Sequence, residues 1–253
     1  MDHLLKKKID FLVIGTQKSG TTALDKYLRL HAEIGMPQKK ETHFFDKHIK
    51  GLQGEMIDQV YHNHFNLEDI GTRVVGEITP GYMYLPQVCE RVYQYNPKLK
   101  LIAILRNPID RAYSHWGMQK ERGLETLSFD ECIENEPQRL SQIIPKHRKK
   151  FAYLARGYYA EQLKRYFKLF AKDQFHIIKY EEFLTNQQKT LNGLFDFLNI
   201  DSSNYPFEEI MAHQTSYEEA MSSAAKDKLI ELFTPEVKEL EELLQWDCQH
   251  WLQ

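Results

Sequence analysis

The chain has 253 residues, 42% of them hydrophobic and 12% aromatic, which is ample material for one sizeable core. Its 33 Lys and Arg stand against 36 Asp and Glu, a formal net charge of −3, which excludes the broad basic face of a general nucleic-acid binder and makes any anion site local. The N-terminal MDHLLKKKIDFLVIG has too short an apolar run for a signal peptide, and no stretch approaches the roughly 18 apolar residues that span a bilayer. Cys89, Cys132 and Cys248 are odd in number and far apart, so neither a disulfide framework nor a thiolate metal site is expected, and the expected setting is a reducing cytoplasm.

In chain order, Asp10 to Gly15 is the first of four runs rich in Ile, Val, Leu and Phe; the others are Arg73 to Ile78, Leu99 to Leu105 and Phe175 to Tyr180. None alternates polar with apolar, as expected of parallel strands covered on both faces. Helical patterns run over Thr21 to Leu30, Pro86 to Tyr95, Ile109 to Gln119, Tyr158 to Phe170 and Glu181 to Leu198. A last amphipathic helix, Ala225 to Leu244, is expected to break near Pro235, which lacks an N–H. The least regular stretch is Glu121 to Arg156, with Pro137, Pro145 and the basic run Lys146, His147, Arg148, Lys149, Lys150. That run reads either as a solvated face or as a grip for an anionic acceptor. There is no repeat or Gly/Ser linker, so the expected fold is α/β, a single domain over 1–253 with a mostly parallel β-sheet flanked by helices.

Directly after the first strand comes GTQKSGTTALDKYL, a turn with Gly15, Lys18, Ser19, Gly20, Thr21 and Thr22 that opens a helix. Such a strand–turn–helix aims free backbone N–H groups and the helix dipole at one point, which suits a phosphate and gives the core a P-loop-like, nucleotide-binding character. Gly15 and Gly20 have the spacing of the triphosphatase loop, yet Thr21 stands where that loop has lysine, and Lys18 comes two residues before the second glycine. An ordinary capped βα turn is the alternative. A second strand end, LKLIAILRNPIDRAYSHW, puts Arg106 where open α/β sheets bind ligands, followed by a helix bearing Ser114. A magnesium-dependent triphosphatase would end such a strand in aspartate. An arginine there grips phosphate without metal. A structural pair of Arg106 with Asp110 or Glu77 is the other reading of the same residue.

Together these residues resemble the family of sulfotransferases that use 3′-phosphoadenosine 5′-phosphosulfate (PAPS). GTQKSGTT is similar to the family's 5′-phosphosulfate loop, and LRNPIDRAYSHW to its 3′-phosphate segment, in which an arginine is followed eight residues later by a serine. KKETHFFD, EITPGYMYLP, VYQYNPKLKLIAILRNP, GYYAEQLKRYF and FHIIKYEEFL extend the likeness, closest to the heparan sulfate glucosamine 3-O- and N-sulfotransferases. The resemblance implies that Lys18 stabilises the departing phosphate and that Ser19, Gly20, Thr21 and Thr22 hold the 5′-phosphate. It further implies that Arg106 and Ser114 hold the 3′-phosphate. Glu41 falls on the family's catalytic carboxylate, with His43 and Asp46 in the same pattern to orient the base or the acceptor, and Tyr217 is a further candidate on the nucleotide side. Gln17 departs from the proline or basic residue usual before the lysine, and there is no counterpart of the disulfide-closed C-terminal loop of secreted members.

From the residues alone, Glu41 beside Lys39 and Lys40 reads first as a surface or ion-paired glutamate, and only the resemblance makes it a general base. The expected reaction is in-line transfer of a sulfuryl group from PAPS to an acceptor hydroxyl, or less readily an amine, with no metal. The acceptor, whether carbohydrate, lipid or a polyketide-type hydroxyl, is left open by the sequence. Phe44, Phe45, Tyr82, Tyr84, Trp116, Tyr158 and Tyr159 are candidates to line a cleft, against the ordinary role of aromatics as core. Two other classes stay open: a magnesium-dependent P-loop nucleotide kinase, and a catalytically silent nucleotide- or glycan-binding protein.

Overall fold

In a computed structural model, which describes residues 7–203, 205–210 and 220–253, the chain forms two compact units. The first takes Met1–Leu105 and Arg165–Ala212, the second Arg106–Lys164 and His213–Gln253. Tyr217 lies outside the described residues, as does the side chain of Lys146.

The first unit is built on Phe11–Gly15 (β1), Ile34–Gly35 (β2), Val74–Ile78 (β3), Lys100–Leu105 (β4) and Phe175–Lys179 (β5). They form one parallel sheet in the order β2-β3-β1-β4-β5. All five residues of β1 are buried, because this central strand is covered on both faces. Phe11, Val13, Ile78, Ile102 and Ile104 pack with Leu24, Tyr27 and Leu28 of Thr21–Leu30 (α1). Leu191, Leu194 and Phe195 of Gln187–Leu198 (α10) join the same core. Glu55–His62 (α2), Leu67–Thr72 (α3), Pro86–Tyr95 (α4) and Tyr180–Thr185 (α9) complete the unit. Helix α1 and helix α4 have the bounds the periodicity predicts. The predicted helix from Glu181 to Leu198 is instead two, broken at Asn186, whose φ of −137° and ψ of 55° are not helical. Thr185 Oγ1 donates to Glu181 O there, the local side-chain competition that ends helices.

The second unit holds Pro108–Glu121 (α5), Phe129–Gln142 (α6), Pro145–Arg148 (α7) and Ser223–Leu244 (α11). Tyr159–Phe167 (α8) begins in it and ends in the first unit, three residues short of the expected Phe170. The stretch expected to be irregular is therefore largely helical. Its overlooked signal is Ser128-x-x-Glu131, a capping box in which Glu131 N donates to Ser128 Oγ and Ser128 N to Glu131 Oε2. Pro235 does not break α11 either. A proline inside a helix costs about 3 kcal/mol. Burial of Leu229, Phe233, Val237 and Leu240 on the same helix contributes about 1.5–3 kcal/mol each and outweighs that cost.

Three buried carboxylates organise this unit. Glu125 takes a forked pair from Arg139 at 2.6 and 3.0 Å and the Tyr153 hydroxyl at 2.7 Å, while Glu136 accepts Leu154 N and Ala155 N. Glu236 of α11 accepts Ala160 N at 2.6 Å, in the first turn of α8. Burial pushes the Glu236 carboxyl up to about 7, against the downward pull of that hydrogen bond.

Two expectations follow. Gly76→Ala would place a Cβ 2.5 Å from the Phe11 ring, so overpacking should cost about 1–3 kcal/mol and lower the melting temperature by about 2–4 °C per kcal/mol. An unchanged melting temperature would show that the ring can move aside. For Glu236 the folded pKa lies above the unfolded one, so its contribution is full below about pH 4.5 and is lost as pH rises to about 7. Urea unfolding at pH 5 and pH 7.5 should show a smaller pH-dependent loss in Glu236→Gln than in the parent; an identical loss would contradict this.

Candidate functional site

The turn after β1 is held from below and shaped by left-handed residues. Thr16 N and Thr16 Oγ1 both donate to Ile104 O at 2.9 Å, and the Thr16 hydroxyl accepts from Ser19 Oγ at 2.6 Å. Ser19 is fully buried, so its hydroxyl braces the loop from inside. Lys18 has φ 73° and Gly20 φ 80°, and Gly20 is the N-cap of α1. The first intrahelical bond runs from Leu24 N to Gly20 O, so the N–H groups of the preceding first turn point out of the helix end. No acidic residue stands in that first turn, and Thr22 is exposed. An amide-rich helix end with hydroxyls, one lysine in the loop and no carboxylate fits a phosphate or sulfate group. Gly20 fits it twice over, since a Cβ there would meet Tyr180 at 3.0 Å and its φ is one that L side chains rarely adopt.

The second element of the site is the turn carrying Glu41 and His43. Both have positive φ, 60° and 55°, at a cost of about 1–2 kcal/mol each, so something must hold them. Glu41 N donates to Ile78 O at the carboxyl end of β3. Parallel pairing of β1 with β3 brings that end beside the end of β1, and Thr79 N and Met83 N close the gap by donating to Val13 O and Ile14 O. Lys40 then joins the two turns. Its Nζ donates to Thr22 Oγ1 at 3.0 Å and stands 3.6 Å from Glu41 Oε1. His43 Nδ1 bonds Asp46 Oδ1 at 3.0 Å, which orients the ring and leaves Nε2 3.7 Å from Glu41 Oε2. After His43 the chain enters a single π-helical turn, Phe44–His48, closed by Ile49 N donating to Phe44 O at 2.9 Å.

Behind this turn lies Glu77, fully buried on β3, an acidic residue that sequence patterning weighs only as a partner for Arg106. It accepts Thr42 N at 3.3 Å, the Thr42 hydroxyl, the Tyr61 hydroxyl at 2.8 Å, the Tyr82 hydroxyl at 3.0 Å and the Thr79 hydroxyl at 3.3 Å. Burial pushes its carboxyl up, and the Thr42, Tyr61 and Tyr82 bonds pull it back. The aromatic residues proposed for a cleft are mostly core: Phe44, Phe45, Tyr82, Trp116 and Tyr159 are at most 3% exposed, and only Tyr84 and Tyr158 are half-buried. Phe44 stacks on Tyr61 at 4.2 Å, which uses its ring internally.

In the second unit, Arg106 immediately follows β4 and is half-buried. Its carbonyl accepts the hydroxyl of the fully buried Tyr159 at 2.9 Å. Asn107 caps α5 by accepting Ile109 N, with Pro108 at the first helical position, and its amide donates to Trp251 O at 3.0 Å. Ser114 lies two turns along α5 and is 4% exposed. Arg111, which sequence reading passed over, is fully buried and donates to Tyr153 O. Burial pushes its guanidinium down, Tyr159 and Glu136 pull it back up, and Arg106 lowers it again. Asp110 is exposed. The carbonyls of Lys149 and Lys150 accept from Arg156 and Gln119, so the basic run is tied to the unit through its backbone.

The sulfotransferase domain family matches residues 8–241, and so runs through both units. A crystallographically solved sulfotransferase from Alicyclobacillus acidocaldarius is 30% identical with a TM-score of 0.80, over 97% of this chain and 99% of its own. The membrane-associated sulfotransferase kil1 of Dictyostelium discoideum is 26% identical over 315 residues, 94% of this chain and 65% of that protein. Heparan sulfate glucosamine 3-O-sulfotransferase 5 of Mus musculus is 28% identical over 195 residues, 75% and 53% respectively. The chain thus spans between half and two thirds of the length of these last two relatives. Among the described residues no helix is long and apolar enough to cross a membrane.

Substitution at the loop glycine tests the geometry alone. Gly20→Ala should lower stability by about 1–2 kcal/mol for the left-handed φ, with more if Tyr180 cannot shift. Thermal unfolding reads this directly, and an Ala variant as stable as the parent would mean that the turn is not held at φ 80°.

Proposed function

The chain belongs to the sulfotransferase domain family, and from that premise we propose that it moves a sulfuryl group from PAPS to an acceptor hydroxyl, or less readily an amine, by in-line displacement. The observation that carries the reading is Lys40, which binds Thr22 of the anion-fitting turn and flanks Glu41, so that a base and a phosphosulfate cradle stand at one edge of the sheet.

PAPS supplies the activated S–O bond. Lys18 places its ammonium against the charge that grows on the leaving 5′-phosphate, where fixed positive charge is worth most. Gly20, Thr21 and Thr22 cradle that phosphate, with Ser19 bracing the turn. Arg106 and Ser114 take the 3′-phosphate, a guanidinium forking onto phosphate oxygens without help from a metal. Glu41 takes the acceptor proton as the new O–S bond forms and the bridging S–O bond breaks, a contribution of roughly 10² to 10⁴ in rate. His43, fixed by Asp46, orients the carboxylate or the acceptor. One sulfotransferase domain over 1–253 is the natural unit, because the family match runs through both compact units. A glycan hydroxyl is the first acceptor class to try, since a glucosamine 3-O-sulfotransferase is among the relatives. Cytoplasmic residence is supported by three buried, unbridged cysteines.

The rival kinase reading needs a metal-holding aspartate where this chain has Arg106, and a lysine where it has Thr21. Ligand-induced stabilisation separates the two. Adenosine 3′,5′-bisphosphate at 100 times its dissociation constant should stabilise by about 2.7 kcal/mol in EDTA, a shift of about 5–11 °C for a chain of this size. ATP with magnesium should do less at equal concentration. Stabilisation by ATP that vanishes on chelation would overturn the proposal. Arg106→Ala should lose affinity for the bisphosphate while adenosine 5′-monophosphate binds as to the parent; equal weakening of both would return Arg106 to a structural role.

A further inference from the structure

We infer that Glu77 is a positioning residue for the reaction: it holds the turn that presents Glu41 and His43, acting through Thr42. This rests on the reading of Glu41 as the general base. The N–H groups of Glu41, Thr42, Phe44 and Phe45 each have a partner, and the last three lead to Glu77. Glu41 N donates to Ile78 O, the next residue along β3, at 3.1 Å. Thr42 N donates to Glu77 Oε2 at 3.3 Å. The Thr42 hydroxyl also donates to Glu77 Oε2 and accepts Phe44 N at 3.2 Å. Phe45 N donates to the Tyr82 hydroxyl at 3.2 Å, and that hydroxyl donates to Glu77 Oε1 at 3.0 Å. Thus one buried carboxylate fixes, directly or through one hydroxyl, the amides of three of the residues that follow Glu41.

Glu41 and His43, on either side of Thr42, occupy the left-handed region that a free chain of such residues leaves. A neutral apolar residue would fill the Glu77 position at lower desolvation cost if filling space were all that mattered. What an apolar residue cannot do is accept Thr42 N and Oγ1 together and so hold the two flanking residues in place. The hydroxyls of Tyr61, Tyr82 and Thr79 keep the carboxylate aimed at Thr42. Glu77 is fully buried behind the turn, so its effect on turnover passes through the placement of Glu41 and not through contact with the reacting atoms.

The test uses Thr42→Val, which removes only the hydroxyl, Thr42→Ser, which keeps it, and Glu77→Gln, which keeps shape but turns an acceptor oxygen into a donor amide. Each is made in the full chain, alone and, for Thr42→Val, combined with Glu41→Gln. The probe is release of adenosine 3′,5′-bisphosphate from PAPS with a mixed pool of hydroxyl and amine acceptors, and bisphosphate-induced stabilisation reports that the fold and donor site are intact. Thr42→Val and Glu77→Gln should lower kcat by about tenfold to a hundredfold, the cost of misplacing a reacting group by about an ångström, while KM for PAPS stays within about twofold. Thr42→Ser should restore most of the loss. In the Glu41→Gln background, Thr42→Val should cost nothing further, because the group it misplaces is already gone. The two readings fail separately. A Glu41→Gln enzyme at parental turnover removes Glu41 as base whatever the Thr42 variants do. An impaired Glu41→Gln enzyme beside a fully active, folded Thr42→Val enzyme, or losses that multiply in the double variant, overturns the role of Glu77 alone.

Discussion

Parallel pairing of β1 with β3, Phe11 opposite Gly76 and Val13 opposite Ile78, is the constraint on which the chemistry of the first unit depends. Parallel strands end at the same edge, so the turn after β1 and the turn anchored to Ile78 O meet without any long-range design of loops. The pairing is close because Gly76 has no side chain against Phe11 and Gly15 none against Met83, where a Cβ would stand 2.7 Å from the sulfur. Lys40 exploits the proximity by serving both turns at once.

Charge is distributed to match. The helix end proposed to receive an anion carries no acid in its first turn, whereas Glu77, Glu125, Glu136 and Glu236 are buried within their units. Glu77 organises one turn in the first unit, and Glu125, Glu136 and Glu236 tie down the segment from Tyr153 to Ala160 in the second. That segment includes Tyr159, whose hydroxyl holds the Arg106 carbonyl. Buried carboxylates are costly, and each here is offset by donors from backbone or hydroxyl. Left-handed backbone at Lys18, Glu41 and His43 is a second cost, and it clusters where the proposed chemistry is.

Much of this was legible in the sequence, and the misses have physical causes. Four of the five strands and the bounds of α1 and α4 follow from apolar runs and helical period, since burial on both faces leaves a plain signal. Strand β2 has two residues and no period to read. Proline misled twice, at Pro137 and Pro235, because tertiary burial outweighs a lost backbone bond and that burial is not local information. The loop residues Lys18 to Thr22 and the turn residues Glu41 and His43 were visible as motif. Glu77, Thr42 and the link through Lys40 were not, because their meaning comes from hydrogen bonds between residues far apart in sequence, 35 positions for Thr42 with Glu77 and 18 for Lys40 with Thr22. The aromatic residues show the reverse error: Phe44 and Phe45 belong to a motif yet spend their rings in the core.

The most direct measurement of the central claim is transfer of labelled sulfate from PAPS by the purified chain in EDTA, compared with Lys18→Ala, against pooled hydroxyl and amine acceptors. Metal-independent transfer that falls by orders of magnitude in Lys18→Ala, with the bisphosphate still bound, is the expected result. Transfer that requires a divalent metal, or that survives loss of the Lys18 ammonium unchanged, would contradict it.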